Sequence, residues 1–492
     1  MRQIWVRFPV QNDSKMITRR EFRGSSAGAL ALRLGWLTKV SASQPYSVTQ
    51  KFQSPLKIPN VLHPIKSDET TDYYEIEQRH ASVEVLPGKH TVIWGYEGMF
   101  PGPTIKVRQN RRTAVRHTNK LDVPTVVHLH GGATPSDSDG FPTDLLQPGH
   151  QKTYFYPNDR AATLWYHDHT MDQTGRNIFM GLAGMYIVEG EEEKRLPLPL
   201  GEFDVLLILQ DRLFSPDGAI LYRPDPVDGP AADVTLINGT PWPRLDVSAC
   251  KYRFRILNAS NARSFRLALT SRQRFIQIAT DGGLLPAPIV VQEIPLAMAE
   301  RAEVILDFSI HPLKANFALE DLNASPAQRF LLQFNVVRRA EHDSKVPERL
   351  SGSPSIVPHP AAHRRNFVFT RGNSRGSEVR WSINGKEFDP DHAIAEVSSN
   401  DTEIWRLANH SFRDKHNVVH PIHLHLANFQ ILRRNGDSVA LYESGLKDTV
   451  ALNVGDEVEI AVRFPQYKGR YLFHCHNLEH EDRGMMARFD VR

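Results

Sequence analysis

The 492 residues suffice for about three or four domains, and a hydrophobic content of 40% supplies ordinary packed cores. A formal net charge of +3, carried by basic residues that are spread out rather than clustered, argues against nucleic acid as a partner. Two cysteines, Cys250 and Cys475, exclude a disulfide framework, and no apolar run is long enough for a membrane span.

Residues 1–67 read as a tail and lead-in. Within them Thr18-Arg19-Arg20-Glu21-Phe22 precedes a small, apolar run at 24–37, and Val40-Ser41-Ala42 offers small residues for cleavage. This is the pattern of a twin-arginine export signal and points to a periplasmic or extracellular protein. Arg33 interrupts the apolar run. A start at Met16 would set the arginine pair at the usual distance from the N-terminus.

From residue 68 onward, short runs of strand-forming residues alternate with turn signals. A first unit, 68–190, holds expected strands at 91–96, 104–107, 125–129, 164–167 and 184–188, broken by Pro101-Gly102-Pro103 and Gln147-Pro148-Gly149. Arg108-Gln109-Asn110-Arg111-Arg112 reads as a solvated strand end or turn. A charged, Pro-rich link follows at 189–200. A second unit, 201–340, has strands at 204–210, 234–238, 252–258, 275–279 and 303–308. Another link, 341–365, leads to a third unit, 366–492, with strands at 403–407, 429–433, 457–462 and 470–474. Long helical periodicity is absent, which predicts an all-β chain of three sandwich domains.

The 22 histidines are unevenly placed. His128 and His130, His167 and His169, His423 and His425, and His474 and His476 form four His-x-His pairs. His420 lies three residues before the third pair, and Cys475 sits inside the fourth. The second unit carries only His311, with His342, His359 and His363 in the link that follows it. Roughly one such pair is expected by chance in a chain this rich in histidine; four are not. On a strand, His-x-His sets both imidazoles on one face, two residue rises apart. Eight imidazoles from the two ends of the chain are too many for one ion and suit a cluster of three, and imidazole suits copper, zinc, iron or nickel.

Strand alternation points Cys475 one way and His474 and His476 the other, so one peptide reaches two metal sites. Cys475, His420 and His480 with a weak axial thioether from Met485 or Met486 would make the two-histidine, one-thiolate set of blue copper, and only the spacing of the family named below favours Met485. Met486 is a competing thioether, otherwise read as core filling. Zinc would more often recruit several cysteines or a carboxylate. A Cys250–Cys475 disulfide would remove the thiolate, so Cys250 reads as a buried thiol.

On these motifs the chain resembles the three-domain multicopper oxidases, and within them the bacterial spore-coat laccases and bilirubin oxidases. The match is carried by Val127-His128-Leu129-His130-Gly131-Gly132, Trp165-Tyr166-His167-Asp168-His169, and the stretches 420–425 and 474–485, with support at 100–104, 251–260 and 281–286. The resemblance implies three cupredoxin-like Greek-key β-sandwich domains and four copper ions. His420, Cys475 and His480 would hold type 1 copper, with Met485 axial. His128 and His423 would hold type 2 copper. His130, His167 and His476 would hold one type 3 copper, and His169, His425 and His474 the other. The cluster would lie between the first and third domains, leaving the middle domain as a spacer with some share in the substrate cleft.

The implied reaction couples one-electron oxidation of a small-molecule reductant (phenols, aromatic amines or bilirubin-like pigments) to reduction of O2 to two waters. Asp139 and Glu481, at the acid positions of the resembling laccases, are the expected proton donors, since general acid chemistry needs positioned carboxyls. Otherwise Asp139 is a turn residue of Asp137-Ser138-Asp139-Gly140. Electrons are expected to enter past an exposed edge of His480, and the chain to act as a monomer. The resemblance also allows a cytoplasmic or spore-coat location. Other readings are a metallo-oxidase of Cu⁺, Fe²⁺ or Mn²⁺, which needs acidic or Met-rich residues beside His480, and an exported cupredoxin scaffold that has lost ligands, as this chain has not. A two-domain copper nitrite reductase lacks the trinuclear set.

Overall fold

The structure, a computed structural model, describes residues 51–492 apart from 341–342, 353–354, 373–377 and 413–417. The expected twin-arginine stretch lies outside the described residues. Among those described, strands dominate, and the α-helices are short: Thr174–Met180, Glu191–Lys194 and Leu478–Glu481.

The strand ladders close within three successive stretches, each built of two sheets. In the first, one sheet runs in the order Val61–Leu62, Thr104–Arg108, Ala183–Glu189, Ala162–Asp168, Val127–His130. The facing sheet pairs Thr71–Glu84 with Arg112–Asn119 and then Gln151–Tyr156, and His90–Tyr96 pairs with residues 78–84. Tyr74, Tyr96, Val115, Leu129, Tyr154, Leu164 and Tyr166 fill the space between them. The middle stretch has a seven-stranded sheet, which includes Lys251–Asn258 and Arg301–Asp307, packed on a five-stranded one. The third has a six-stranded sheet over a five-stranded one whose inner strands are Met486–Val491, Gly469–Cys475 and His420–Leu424, with Thr449–Leu452 at one edge.

Two expected links and the lead-in are built into the fold. Leu56 joins the core of the middle stretch, and its N–H donates to the Arg244 carbonyl over 2.8 Å. Within 189–200, Glu193 is buried against Arg253 and Arg255 of the middle stretch. Leu350, from 341–365, packs with Leu198, Ile278, Leu285 and Ile305. The 108–112 stretch is a turn whose Arg111 forks onto the Asp72 carboxylate at 2.7 and 2.8 Å. Cys250 and Cys475 are both free and buried.

Candidate metal centre

Val127–His130 runs antiparallel to Ala162–Asp168, with His128 opposite His167 and His130 opposite Trp165. Because side chains alternate, Val127, Leu129, Leu164 and Tyr166 enter the sandwich core while His128, His130 and His167 leave by the other face. The third stretch repeats the device. Ile422 lies opposite Cys475, His423 opposite His474, and Leu424 opposite Phe473. Ile422, Leu424, Phe473 and Cys475 belong to the core. His420, two residues before Ile422, shares its face and so reaches the Cys475 side. His423 and His474 face the first sandwich.

The outward histidines meet there. Nitrogen donors group as His128, His423 and His425; His128, His130 and His167; and His169, His425 and His474, with ligand atoms in each group within 4.8 Å of one another. His476 joins them, its ring centroid 5.0 Å from that of His130 and 5.2 Å from that of His167. All eight imidazoles are buried.

The hydrogen bonds indicate which nitrogens are free. His128 Nδ1 donates to the Asp139 carbonyl (2.5 Å) and His423 Nδ1 to the Asp448 carbonyl (2.9 Å), so the Nε2 of each is a bare lone pair. Those two Nε2 atoms nevertheless face each other at 3.3 Å. His474 Nδ1 lies 3.1 Å from the Cys475 carbonyl, and its Nε2 faces that of His425 at 3.1 Å and that of His169 at 3.3 Å. His130 Nδ1, His167 Nε2 and both nitrogens of His476 are buried with no hydrogen-bond partner. Burial also drives His128, His130, His167, His169, His423, His425 and His476 below the ordinary histidine pKa, so these rings are neutral. Lone pairs pointed at lone pairs in a dry site repel unless a cation lies between them, and neutral imidazole is the metal-binding form. The donor set therefore fits metal ions.

On the other face, the Nδ1 atoms of His420 and His480 are 3.1 Å apart and lie 3.5 and 3.6 Å from Cys475 Sγ. Their Nε2 atoms are engaged elsewhere, on Ser411 Oγ at 2.8 Å and the Val227 carbonyl at 3.0 Å. Burial pushes the Cys475 thiol well above its usual range, so a cation must supply the charge that makes it a thiolate. Met485 is buried in the same core group, and its carbonyl accepts from the Cys475 N–H at 3.0 Å. Met486 pairs with His474 and packs instead with Phe141 and Leu472.

His480 does not present an exposed edge. It follows Asn477 on a single helical turn, its ring is buried 4.1 Å from Trp381, and a loop of the middle stretch covers its outer nitrogen with the Val227 carbonyl. Trp381 Nε1 donates to the neighbouring Pro226 carbonyl at 2.9 Å. The middle stretch thus covers this site and is more than a spacer.

Both expected acids lie against the histidines. Asp139 Oδ2 accepts from His425 Nδ1 at 2.8 Å, and burial raises its carboxyl to about 8. Glu481 has its carboxylate 3.1 Å from His474 Nδ1 and 3.7 Å from His169 Nδ1. Burial would raise it, but His474 and His169 beside it bring it down to about 2. Sequence reasoning missed Asp448 and Thr449, which touch His130 Nε2 at 3.1 and 3.2 Å, as well as Ser411, Trp381 and Val227. Lys447-Asp448-Thr449 reads as an ordinary charged turn, and nothing local marks it as buried.

Comparison with known proteins agrees with this geometry. Multicopper oxidase family models match residues 77–193 and 359–492. A laccase of Bacillus subtilis is 35% identical, covering 90% of this chain and 98% of that protein. A bilirubin oxidase of Albifimbria verrucaria is 36% identical over 89% of this chain and 81% of its own length. The crystal structure of a laccase from Pediococcus acidilactici superposes with a TM-score of 0.83 at 31% identity, covering 90% of this chain and 95% of that one. The three paired-sheet stretches are thus cupredoxin-like sandwiches, and the chain belongs to the multicopper oxidase family of copper-binding, laccase-like oxidoreductases that use O2 as electron acceptor.

Proposed function

We propose that the chain is a four-copper laccase acting on phenolic, aromatic amine or bilirubin-like reductants. In this reading His420, Cys475 and His480, with Met485, would hold type 1 copper, and His128 and His423 would hold type 2 copper. His130, His167 and His476 hold one type 3 ion, and His169, His425 and His474 the other. Copper would supply reversible one-electron chemistry, toward the reductant at the cysteinyl set and toward O2 at the cluster. The observation that carries this is the divergence of Cys475 and His474 from adjacent positions of one strand into two separate sets of bare donors.

The protein's own groups then have defined tasks. The Cys475 backbone joins the two donor sets covalently. Asp139, hydrogen-bonded to His425 and raised by burial, holds a proton for the waters formed, and Glu481, an ionised carboxylate beside His474, accepts protons and passes them on. Trp381, fully buried beside His480, and the half-buried Pro226-Val227 segment exclude water from His480, and Pro226 and Val227 form the surface that a reductant meets. The acids flanking His480 are turned inward: Glu479 accepts from Tyr222 and Asn261, and Asp482 from the Thr174 and Gly175 N–H groups. Asp225, whose charge acts on His480, and Asp228 stay exposed on the covering loop, which keeps a metal ion as the second reading of the reductant.

We take the working unit to be a monomer, since one chain supplies every donor of both sites. The domain bounds are taken as 68–190, 201–340 and 366–492. Export by the twin-arginine route is the proposed location, on the strength of Arg19-Arg20 ahead of a small, apolar run.

The test is aerobic turnover of a phenolic dye, bilirubin and Cu⁺ by copper-loaded protein, with a copper count and an optical spectrum. Four copper ions per chain, an intense thiolate-to-copper band and faster turnover of the organic reductants are expected. A fully loaded protein without that band would refute the type 1 assignment.

A further inference from the structure

His130 is the odd member of the cluster. His128, His167, His423, His425 and His474 each turn Nδ1 onto an oxygen (Asp139 O, Asp168 O, Asp448 O, Asp139 Oδ2 and Cys475 O, at 2.5 to 3.1 Å) and leave Nε2 for a metal. His130 is reversed. Its Nε2 lies 3.1 Å from Asp448 Oδ1 and 3.2 Å from Thr449 Oγ1, and its Nδ1 is buried with no partner. His128 and His130 share one strand face yet offer opposite nitrogens.

The partner that holds the reversed ring is itself held. Arg301 donates from both terminal nitrogens to Asp448, Nη1 to Oδ1 at 2.7 Å and Nη2 to Oδ2 at 2.6 Å. Arg301 belongs to the middle stretch, and its Nε donates to the Thr163 carbonyl of the first at 3.0 Å. Thr449 Oγ1 donates to Asp448 Oδ1 at 3.0 Å. A carboxylate gripped at both oxygens by a guanidinium cannot swing away and acts as an acceptor only. It therefore requires the proton of His130 to sit on Nε2, and this bares Nδ1.

We infer that Asp448, fixed by Arg301 of the middle domain, is a positioning residue that selects the Nδ1-ligating tautomer of His130 and so locks all three domains onto the metal cluster. The inference rests on His130 being a cluster ligand, which the copper count of the parent protein tests separately. Carboxylates that accept from a ligating histidine set its orientation and strengthen its binding.

The experiment compares copper-loaded Asp448→Asn and Lys447→Gln with the parent, by copper retention against a chelator and by paramagnetic resonance of the cluster. Asp448→Asn keeps the shape but sets an amide N–H against Arg301 or against His130. Lys447→Gln breaks the adjoining buried ion pairs to Asp281 and Glu300, at 3.0 and 3.1 Å, without touching a histidine. Asp448→Asn is expected to hold cluster copper on the order of 10–100-fold more weakly, with an altered cluster signal and an intact type 1 band. Lys447→Gln is expected to lower the melting temperature and keep its copper. A parent-like cluster in folded Asp448→Asn, or equal copper loss in both variants, would overturn the inference. Should Asp448→Asn not fold, Arg301→Lys, which keeps the charge but loses the fork, is read in its place by the same criteria.

Discussion

Asp139 has two separate engagements with the cluster: its carbonyl accepts from His128 and its carboxyl accepts from His425. The first is a backbone contact that any residue could make, so only the second is lost when the side chain changes. Asp139→Asn should therefore leave copper binding and the blue band in place and slow O2 reduction by about 100-fold or more, the range for a positioned proton donor. Oxygen uptake, set against the anaerobic rate at which substrate bleaches the blue band, separates the two half-reactions. An Asn variant with parent oxygen uptake would remove Asp139 from proton delivery.

At the scale of elements, a strand that carries histidines on one face and apolar residues on the other explains both why the cluster forms and why much of it was legible. The pattern at 127–130 and 420–425 announces itself in the sequence, and so does the alternation that sends Cys475 away from His474. Met485 and Met486 differ for the same reason. Only Met485 shares the Cys475 core, while Met486 faces Phe141 and Leu472. Met485→Leu should raise the type 1 reduction potential, and Met486→Leu should leave it unchanged. Each should cost less than about 1.5 kcal/mol, because volume is conserved. A redox titration of the blue band checks this. What the sequence does not carry is contact between distant stretches. The Val227 carbonyl on His480, Arg301 on Asp448 and Glu193 on Arg253 join residues more than fifty positions apart, each ordinary in its local context. The expected exposed edge of His480 failed on that account.

Across the whole molecule, buried charge ties the first sandwich to the second. Glu193 meets Arg253 and Arg255, which also meet Glu303 and Asp204. Burial alone would raise the Asp204 and Glu193 carboxyls, but the two arginines outweigh it and hold both below their usual values. Carboxyls depressed in the folded state stabilise it above their unfolded pKa of about 4, and that contribution is lost as the pH falls through the depressed value. The melting temperature should thus begin to drop below about pH 4, less steeply in Glu193→Gln. That variant should already be destabilised on the order of 3 kcal/mol at neutral pH, because it leaves buried guanidinium groups short of a partner. In the proposed function the same assembly sets an electron entry site and an oxygen site in one chain with a single residue, Cys475, between them. The most direct test is oxygen stoichiometry in copper-loaded parent and Cys475→Ser proteins, with the cluster copper of both counted. The parent should consume one O2 for every four one-electron oxidations and release no peroxide, and the Ser variant should keep its cluster copper, lose the blue band and stop consuming O2. A Cys475→Ser protein that takes up O2 at the parent rate would contradict the account.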